Sequence, residues 1–105
     1  ILTKIPGTIS AHMKHHLRAV MGDADRNWLS RAEAAAALGA CRSLEQRPFI
    51  LLWRTAPPPV RPDLARAAAL ARGAADWAKK FLGALRPDPL MSPLIDHLEA
   101  TIPET

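Results

Sequence analysis

"LSRAEAAAALGACRS" (Leu29–Ser43) carries the clearest secondary-structure signal in the sequence, and it decides the fold class. Ser30 and Glu33 have the spacing of a capping box, in which the serine oxygen accepts a backbone N–H and the glutamate bonds back to the cap. Leu29 stands at the position of a hydrophobic staple. The alanines at 34–37 favour helix and allow a neighbouring element to approach closely. The segment therefore predicts a close-packed helix that starts at Ser30.

The same segment resembles the first half of a DNA-binding helix-turn-helix. That motif places a glycine four residues after a small residue and an apolar anchor about six residues further on. Ala35 and Gly39 satisfy the first two positions, but Glu45 occupies the third. The second helix would be Arg42–Arg47, because Pro48 closes it. A helix that short exposes few side chains to a DNA groove, so we interpret the segment as a packing helix.

Three further helices are indicated by apolar residues at helical spacing. The longest of them begins at Pro62, and its apolar arc covers nearly half the circumference, which is more than one neighbouring helix needs. Its polar side carries Arg72, Asp76 and Lys80 as an exposed ladder of ion pairs. The predicted helices are Ala11–Met21, capped by Ser10 and ended by Gly22; Ser30 to either Gly39 or Gln46; Pro62–Leu85; and a short helix from Ser92 whose apolar side is Leu94, Ile95, Leu98 and Ile102.

The short apolar segment Phe49–Trp53 lies between Pro48 and a run of prolines at 57–59. Its length fits either a buried strand or a short helix. One strand cannot form a sheet, and the sequence offers no second strand candidate, so we predict a short helix with Pro48 near its start. Residues 55–62 are expected to form an extended, Pro-rich linker.

The sequence thus predicts an all-α protein, a small irregular bundle of about four helices with a Pro-rich extended linker. Residues 1–105 are assigned to a single α-helical domain, because a chain of this length supports one modest core. The domain is expected to include an extended arm at 1–9. It is also expected to include an acidic C-terminal segment at 87–105, which contains the short last helix.

The charges are distributed unevenly along the chain. Residues 1–86 contain all 14 Lys and Arg with six acidic residues, a balance of +8, whereas residues 87–105 contain four acidic residues and no basic one. A basic body suits an anionic partner such as nucleic acid or an acidic protein. However, basic residues never follow one another in runs longer than two, so the sequence shows no basic stripe typical of nucleic-acid binders.

No motif of a catalytic, metal or cofactor site is visible in the sequence. His12 and His16 lie one turn apart on the first predicted helix, a spacing that can hold a metal ion. The candidate third ligands, Asp23 and Asp25, lie beyond the end of that helix. Cys41 has no histidine in its segment and follows an Ala-rich helix, where small buried cysteines are common. We therefore predict that the protein is not an enzyme and holds neither a metal nor a cofactor.

Other protein chains are the partners that the sequence favours. Tryptophan is favoured at protein–protein contacts, and the segment 49–53 and the longest helix both carry aromatic bulk. No uninterrupted apolar run approaches the length that a membrane span needs. The predicted partner-binding residues are Phe49, Trp53, Leu70, Trp77 and Phe81.

Two functions from different classes follow from these features. The favoured one is a non-catalytic accessory or structural subunit, or a protein–protein interaction module, of a larger assembly. The alternative is a small basic helical DNA- or RNA-binding regulator with a degenerate helix-turn-helix. The chain begins at Ile1 rather than Met, which processing of a mitochondrial protein or an artificial truncation would explain. A mitochondrial location is therefore the expectation, with the cytoplasm as the alternative.

Overall fold

Six α-helices and one short 3-10 turn form most of residues 11–102, the part of the chain that the computed structural model describes. This part contains no strand, so the all-α prediction is confirmed, although six helices replace the predicted four or so. The predicted arm at 1–9, the predicted cap Ser10 and the residues after Ile102 lie outside the described residues. The helices are α1 Ala11–Gly22, α2 Trp28–Ala40, α3 Gln46–Thr55, α4 Arg61–Ala71, α5 Asp76–Leu85 and α6 Ser92–Thr101, and the 3-10 turn is Pro58–Val60.

The centre of the fold is a close contact between α2 and α4 that is built largely from alanine. Gly39 of α2 lies against the backbone of α4, because a Cβ atom added at Gly39 would stand 2.5 Å from the carbonyl oxygen of Ala67. Small side chains are what permit two helix backbones to come this close. The buried alanines of the two helices are Ala32, Ala34, Ala35, Ala65, Ala67, Ala68, Ala69 and Ala71.

α2 starts earlier than the capping box predicts. Asn27 is its N-cap, and the Oδ1 atom of Asn27 accepts the backbone N–H of Ser30 at 2.8 Å. Ser30 therefore lies inside the first turn of α2. The prediction of a capping box between Ser30 and Glu33 is wrong, because Asn27 already makes the capping bond. Leu29 is 64% exposed, so it does not form the predicted hydrophobic staple.

α2 ends at Ala40 with a Schellman motif. The backbone N–H of Ser43 donates to the carbonyl of Leu38 at 2.8 Å. The backbone N–H of Arg42 donates to the carbonyl of Gly39 at 3.1 Å. Arg42 has a φ of 61°, which places it in the left-handed conformation that this position requires and that glycine usually fills. This motif, rather than a helix break at Gly39, turns the chain toward α3.

The apolar segment 49–53 is helical, as predicted, and lies within α3. The Pro-rich linker predicted at 55–62 is largely wrong. Only Ala56 and Pro57 are extended, after which the chain enters the 3-10 turn and then α4. The reason is that the φ of proline, near −65°, suits the first turn of a helix as well as it suits an extended chain.

The helix predicted at Pro62–Leu85 is two helices. α4 ends at Ala71, residues 72–75 form a turn, and α5 packs against α4. The wide apolar arc predicted for one long helix is therefore divided between two shorter helices. Much of that arc packs in the core of the protein. Its buried members are Leu64, Ala68, Ala71, Ala78 and Leu82.

Arg72 does not belong to an exposed ladder of ion pairs, because it is only 5% exposed. Its guanidinium donates to the carbonyl of Ala69 at 2.8 Å, to that of Glu99 at 3.4 Å, and to that of Ile102. It thus joins the end of α4 to the end of α6. The remaining part of the predicted ladder is present, since Lys80 and Asp76 form an exposed ion pair at 3.4 Å.

The acidic C-terminal segment contacts the basic part of the chain through α6. Ile95 and Leu98 are buried in the core, on the side of the helix that the sequence predicts. On the exposed side, Arg86 pairs with Asp96 at 2.7 Å and also with Glu99.

Candidate functional site

Four of the five predicted partner-binding residues meet in one aromatic cluster between α3 and α5. The rings of Phe49 and Phe81 lie edge to face with centroids 5.0 Å apart, and those of Trp53 and Phe81 do the same at 4.9 Å. Trp77 tilts against Phe49 at 5.3 Å. Each helix contributes two rings spaced by four residues, which places both on one side of the helix. The cluster holds α3 against α5.

The members of the cluster differ in how much surface they offer. Phe49 is fully buried, so in this fold it contributes to the core. Trp53, Trp77 and Phe81 are half-buried and keep edges at the surface. Leu70 lies apart from them on α4, where its Cβ is 3.4 Å from the position that a Cβ on Gly39 would take. The structure therefore does not join Leu70 to the aromatic residues.

The outer side of α3 carries an apolar strip between two arginines, and we call this surface the α3 face. Leu51 is 57% exposed at its middle. Arg47 and Arg54 stand four residues before and three residues after Leu51, so all three share one side of the helix. Within residues 11–102 neither arginine pairs with a carboxylate. A groove of about 480 Å³ runs along this face, lined by Gln46, Arg47, Ile50, Leu51 and Arg54.

Two neighbouring grooves extend the α3 face. One, of about 460 Å³, shares Gln46 and Ile50 with it and reaches the exposed edges of Trp77 and Phe81. The other, of about 340 Å³, shares Arg47 and Leu51 and reaches the end of α1. The α3 face is thus the middle of a wider surface that includes part of the aromatic cluster. Sequence reasoning missed Arg47, Ile50, Leu51 and Arg54, although their spacing in a helical 46–55 would have grouped them.

Arg31 lies at the edge of this surface but is already engaged. Its Nε donates to the carbonyl of Met21 at 3.1 Å, and its guanidinium carbon lies 4.3 Å from the ring centroid of Trp28. A cation at the C-terminal end of α1 is also favoured by the helix dipole. Arg31 therefore holds α1 against α2, whereas Arg47 and Arg54 of α3 are exposed.

The residues that sequence analysis weighed for chemistry are not brought together. His12 and His16 are exposed on α1, and within residues 11–102 no three His, Cys, Asp or Glu side chains form a group that would hold a metal ion. Cys41 is buried, and its thiol contacts the carbonyl of Leu38 at 3.5 Å. No helix between residues 11 and 102 combines the length and the apolar character that a membrane span needs.

No protein-family model, curated protein or solved structure matches this chain. The candidate site therefore rests on the geometry of the α3 face.

Proposed function

We propose that the protein is a non-catalytic protein–protein interaction module, acting as an accessory subunit of a larger assembly, and that it binds an acidic amphipathic helix of its partner. The α3 face supports this proposal because Leu51 is largely exposed between two arginines that pair with no carboxylate among residues 11–102. An exposed apolar residue with a charged rim is the usual composition of a protein contact surface. The assembly's location, mitochondrial or cytoplasmic, stays a prediction.

The chemistry of the partner follows from the spacing of the α3 residues. Arg47 and Arg54 are two helical turns apart, about 10 Å along the axis. A partner helix with carboxylates two turns apart would match both arginines, each of which can bind a carboxylate through two parallel hydrogen bonds. Apolar residues between those carboxylates would pack on Ile50 and Leu51, as in helix-in-groove recognition.

A pair of exposed leucines provides the test. Leu51→Glu places a negative charge in the middle of the α3 face, whereas Leu29→Glu makes the same change at a similarly exposed leucine of α2. The wild-type protein and both variants are used as affinity baits, and the retained partner is then titrated by calorimetry. We expect Leu51→Glu to weaken binding by roughly 2 kcal/mol, the effect of losing a central contact residue. Leu29→Glu should bind as the wild type does. Equal binding by all three proteins would contradict the proposal.

Nucleic-acid binding is kept as the second candidate because α3 is longer than a helix-turn-helix reading of the sequence allows. It spans Gln46–Thr55 instead of the six residues 42–47, and it carries two outward arginines after the turn that follows α2. If this function is correct, duplex DNA or RNA should bind with an affinity that falls steeply as salt increases. Arg47→Gln and Arg54→Gln should then weaken binding more than Leu51→Ala, which removes no charge.

A further inference from the structure

A cavity of about 440 Å³ lies on a different part of the molecule from the α3 face, and none of its lining residues lines the groove along that face. It is formed where the end of α3, the 3-10 turn, the start of α4, the end of α5 and the start of α6 meet. We call it the Arg61 cavity. Its walls are mostly apolar and include Trp53, Leu85, Leu90, Met91 and Leu94.

Arg61 is the cation of this cavity, and it lacks a complete set of partners. Its Nε is buried and has no hydrogen-bond partner among residues 11–102. Its guanidinium carbon lies 5.3 Å from the ring centroid of Trp53, a cation–π contact. Among residues 11–102, no acceptor or carboxylate pairs with the guanidinium. The Nε atom has almost no accessible surface, so an anionic ligand in the cavity would accept hydrogen bonds from the terminal N–H groups of the guanidinium.

Asp88 lines the same cavity, and its carboxylate is partly engaged. Its Oδ1 accepts the backbone N–H of Leu90 at 2.9 Å, within the turn that leads to α6. No ion pair links Asp88 to Arg61 in the described structure. The guanidinium of Arg61 is therefore available to an anion, while the charge of Asp88 opposes one.

The apolar walls continue to the surface beside Arg61. Leu90 is 86% exposed at the rim, and Met91 and Leu94 are half-buried behind it. Cavities of a few hundred Å³ with apolar walls and one or two polar groups are typical of small-molecule sites. The arrangement combines a cationic group with mostly apolar walls.

We propose that the Arg61 cavity binds a free carboxylate with an apolar tail, such as a medium-chain fatty acid. The carboxylate accepts hydrogen bonds from the guanidinium of Arg61. The tail lies along Leu85, Leu90, Met91 and Leu94. This site does not depend on the partner proposed for the α3 face.

Decanoate, at concentrations where it remains monomeric, is the probe. The protein contains three tryptophans, and their indole N–H resonances report separately in a ¹H–¹⁵N spectrum. We expect saturable binding of one decanoate per chain, with a shift of the Trp53 indole resonance and none of the Trp28 resonance. Decanol, which has the same tail without the charge, should bind about tenfold more weakly. Equal affinity for decanol would overturn the proposal, as would binding that does not saturate.

Three variants assign the effect to the cavity. Arg61→Gln should weaken decanoate binding about tenfold, because the charge-assisted hydrogen bonds are lost. Arg66→Gln removes the same charge from an exposed position of α4 and should leave the affinity unchanged. Asp88→Asn should strengthen binding, since its amide oxygen still accepts from Leu90 while the opposing charge is gone. Equal losses in the two arginine variants, or weaker binding by Asp88→Asn, would show that decanoate binds elsewhere.

Discussion

At the position of Gly39, a methyl group would lie 2.5 Å from the carbonyl oxygen of Ala67 and 3.4 Å from the Cβ of Leu70. The first contact is with backbone, which cannot rotate away as a flexible side chain can. The absence of a side chain at this one residue therefore determines how closely α2 approaches α4.

Gly39→Ala should consequently destabilise the protein, although alanine is the better helix former. We expect the free energy of unfolding to fall by about 1–3 kcal/mol, the usual cost of overpacking a core. Chemical denaturation followed by circular dichroism measures it.

Gly83→Ala is the matched control. Gly83 also lies inside a helix, but a Cβ there would meet no other part of residues 11–102 within 4 Å, apart from its chain neighbours and the backbone of its own helix. Only helix propensity then changes, and the free energy of unfolding should rise by up to about 1 kcal/mol. Changes of the same sign in the two variants would contradict the close approach at Gly39.

At Arg42, as at Gly39, the backbone conformation determines how a substitution changes the stability of the protein. Arg42 holds the left-handed position of the Schellman motif after α2, where a Cβ atom costs about 1 kcal/mol or more. Arg42→Gly should therefore be more stable than Arg42→Ala by about 1 kcal/mol. Both variants lose the arginine side chain, so the comparison reports the backbone alone. If the alanine variant is as stable as the glycine variant, the left-handed conformation is not the one that the protein adopts.

On the scale of elements, α6 is attached to the body by two arginines in different surroundings. Arg72 is buried and donates to backbone carbonyls at the ends of α4 and α6. Arg86 is 42% exposed and pairs with the carboxylates of Asp96 and Glu99. Exposed ion pairs are screened by salt, whereas buried hydrogen bonds to carbonyls are screened much less.

Arg72→Met and Arg86→Met should therefore differ in size and in salt dependence. We expect Arg72→Met to lower the free energy of unfolding by about 2–4 kcal/mol in low and in high salt, because one buried and two part-buried carbonyls lose their donor. Arg86→Met should lower the free energy of unfolding by about 1 kcal/mol or less. This loss should disappear near 1 M salt, where the Debye length is about 3 Å. Denaturation curves at two salt concentrations give both values. A salt-sensitive loss in Arg72→Met would contradict its burial.

For the whole molecule, the features that sequence reasoning predicted correctly are those with local causes. Alanine content, proline positions and apolar spacing identify an all-α chain, the helical segment 49–53 and the buried side of α6. The error at the start of α2 is also local in origin, because Asn27 and Ser30 are both good caps and the chain uses the earlier one.

The break between α4 and α5 coincides with contacts that are not local. Gly73 by itself would be tolerated in a helix. Arg72 donates to the carbonyls of Glu99 and Ile102, which lie 27 and 30 positions later in the chain. No local sequence pattern around Arg72 predicts these two contacts. The same break explains why the predicted partner-binding residues were only partly grouped. It places Leu70 on a different helix from Trp77 and Phe81. Much of the apolar side predicted to contact a partner is buried in the core instead.

The alanine-built contact between α2 and α4 has a consequence for motion. Alanine has no rotamers to lose on burial, so the centre of the molecule becomes ordered with almost no loss of side-chain entropy. Because alanine has no alternative rotamers, these side chains cannot rearrange to accommodate a shift of the neighbouring helix. Movement at the centre must therefore take place as displacement of whole helices, and a force applied to α2 is passed directly to the backbone of α4.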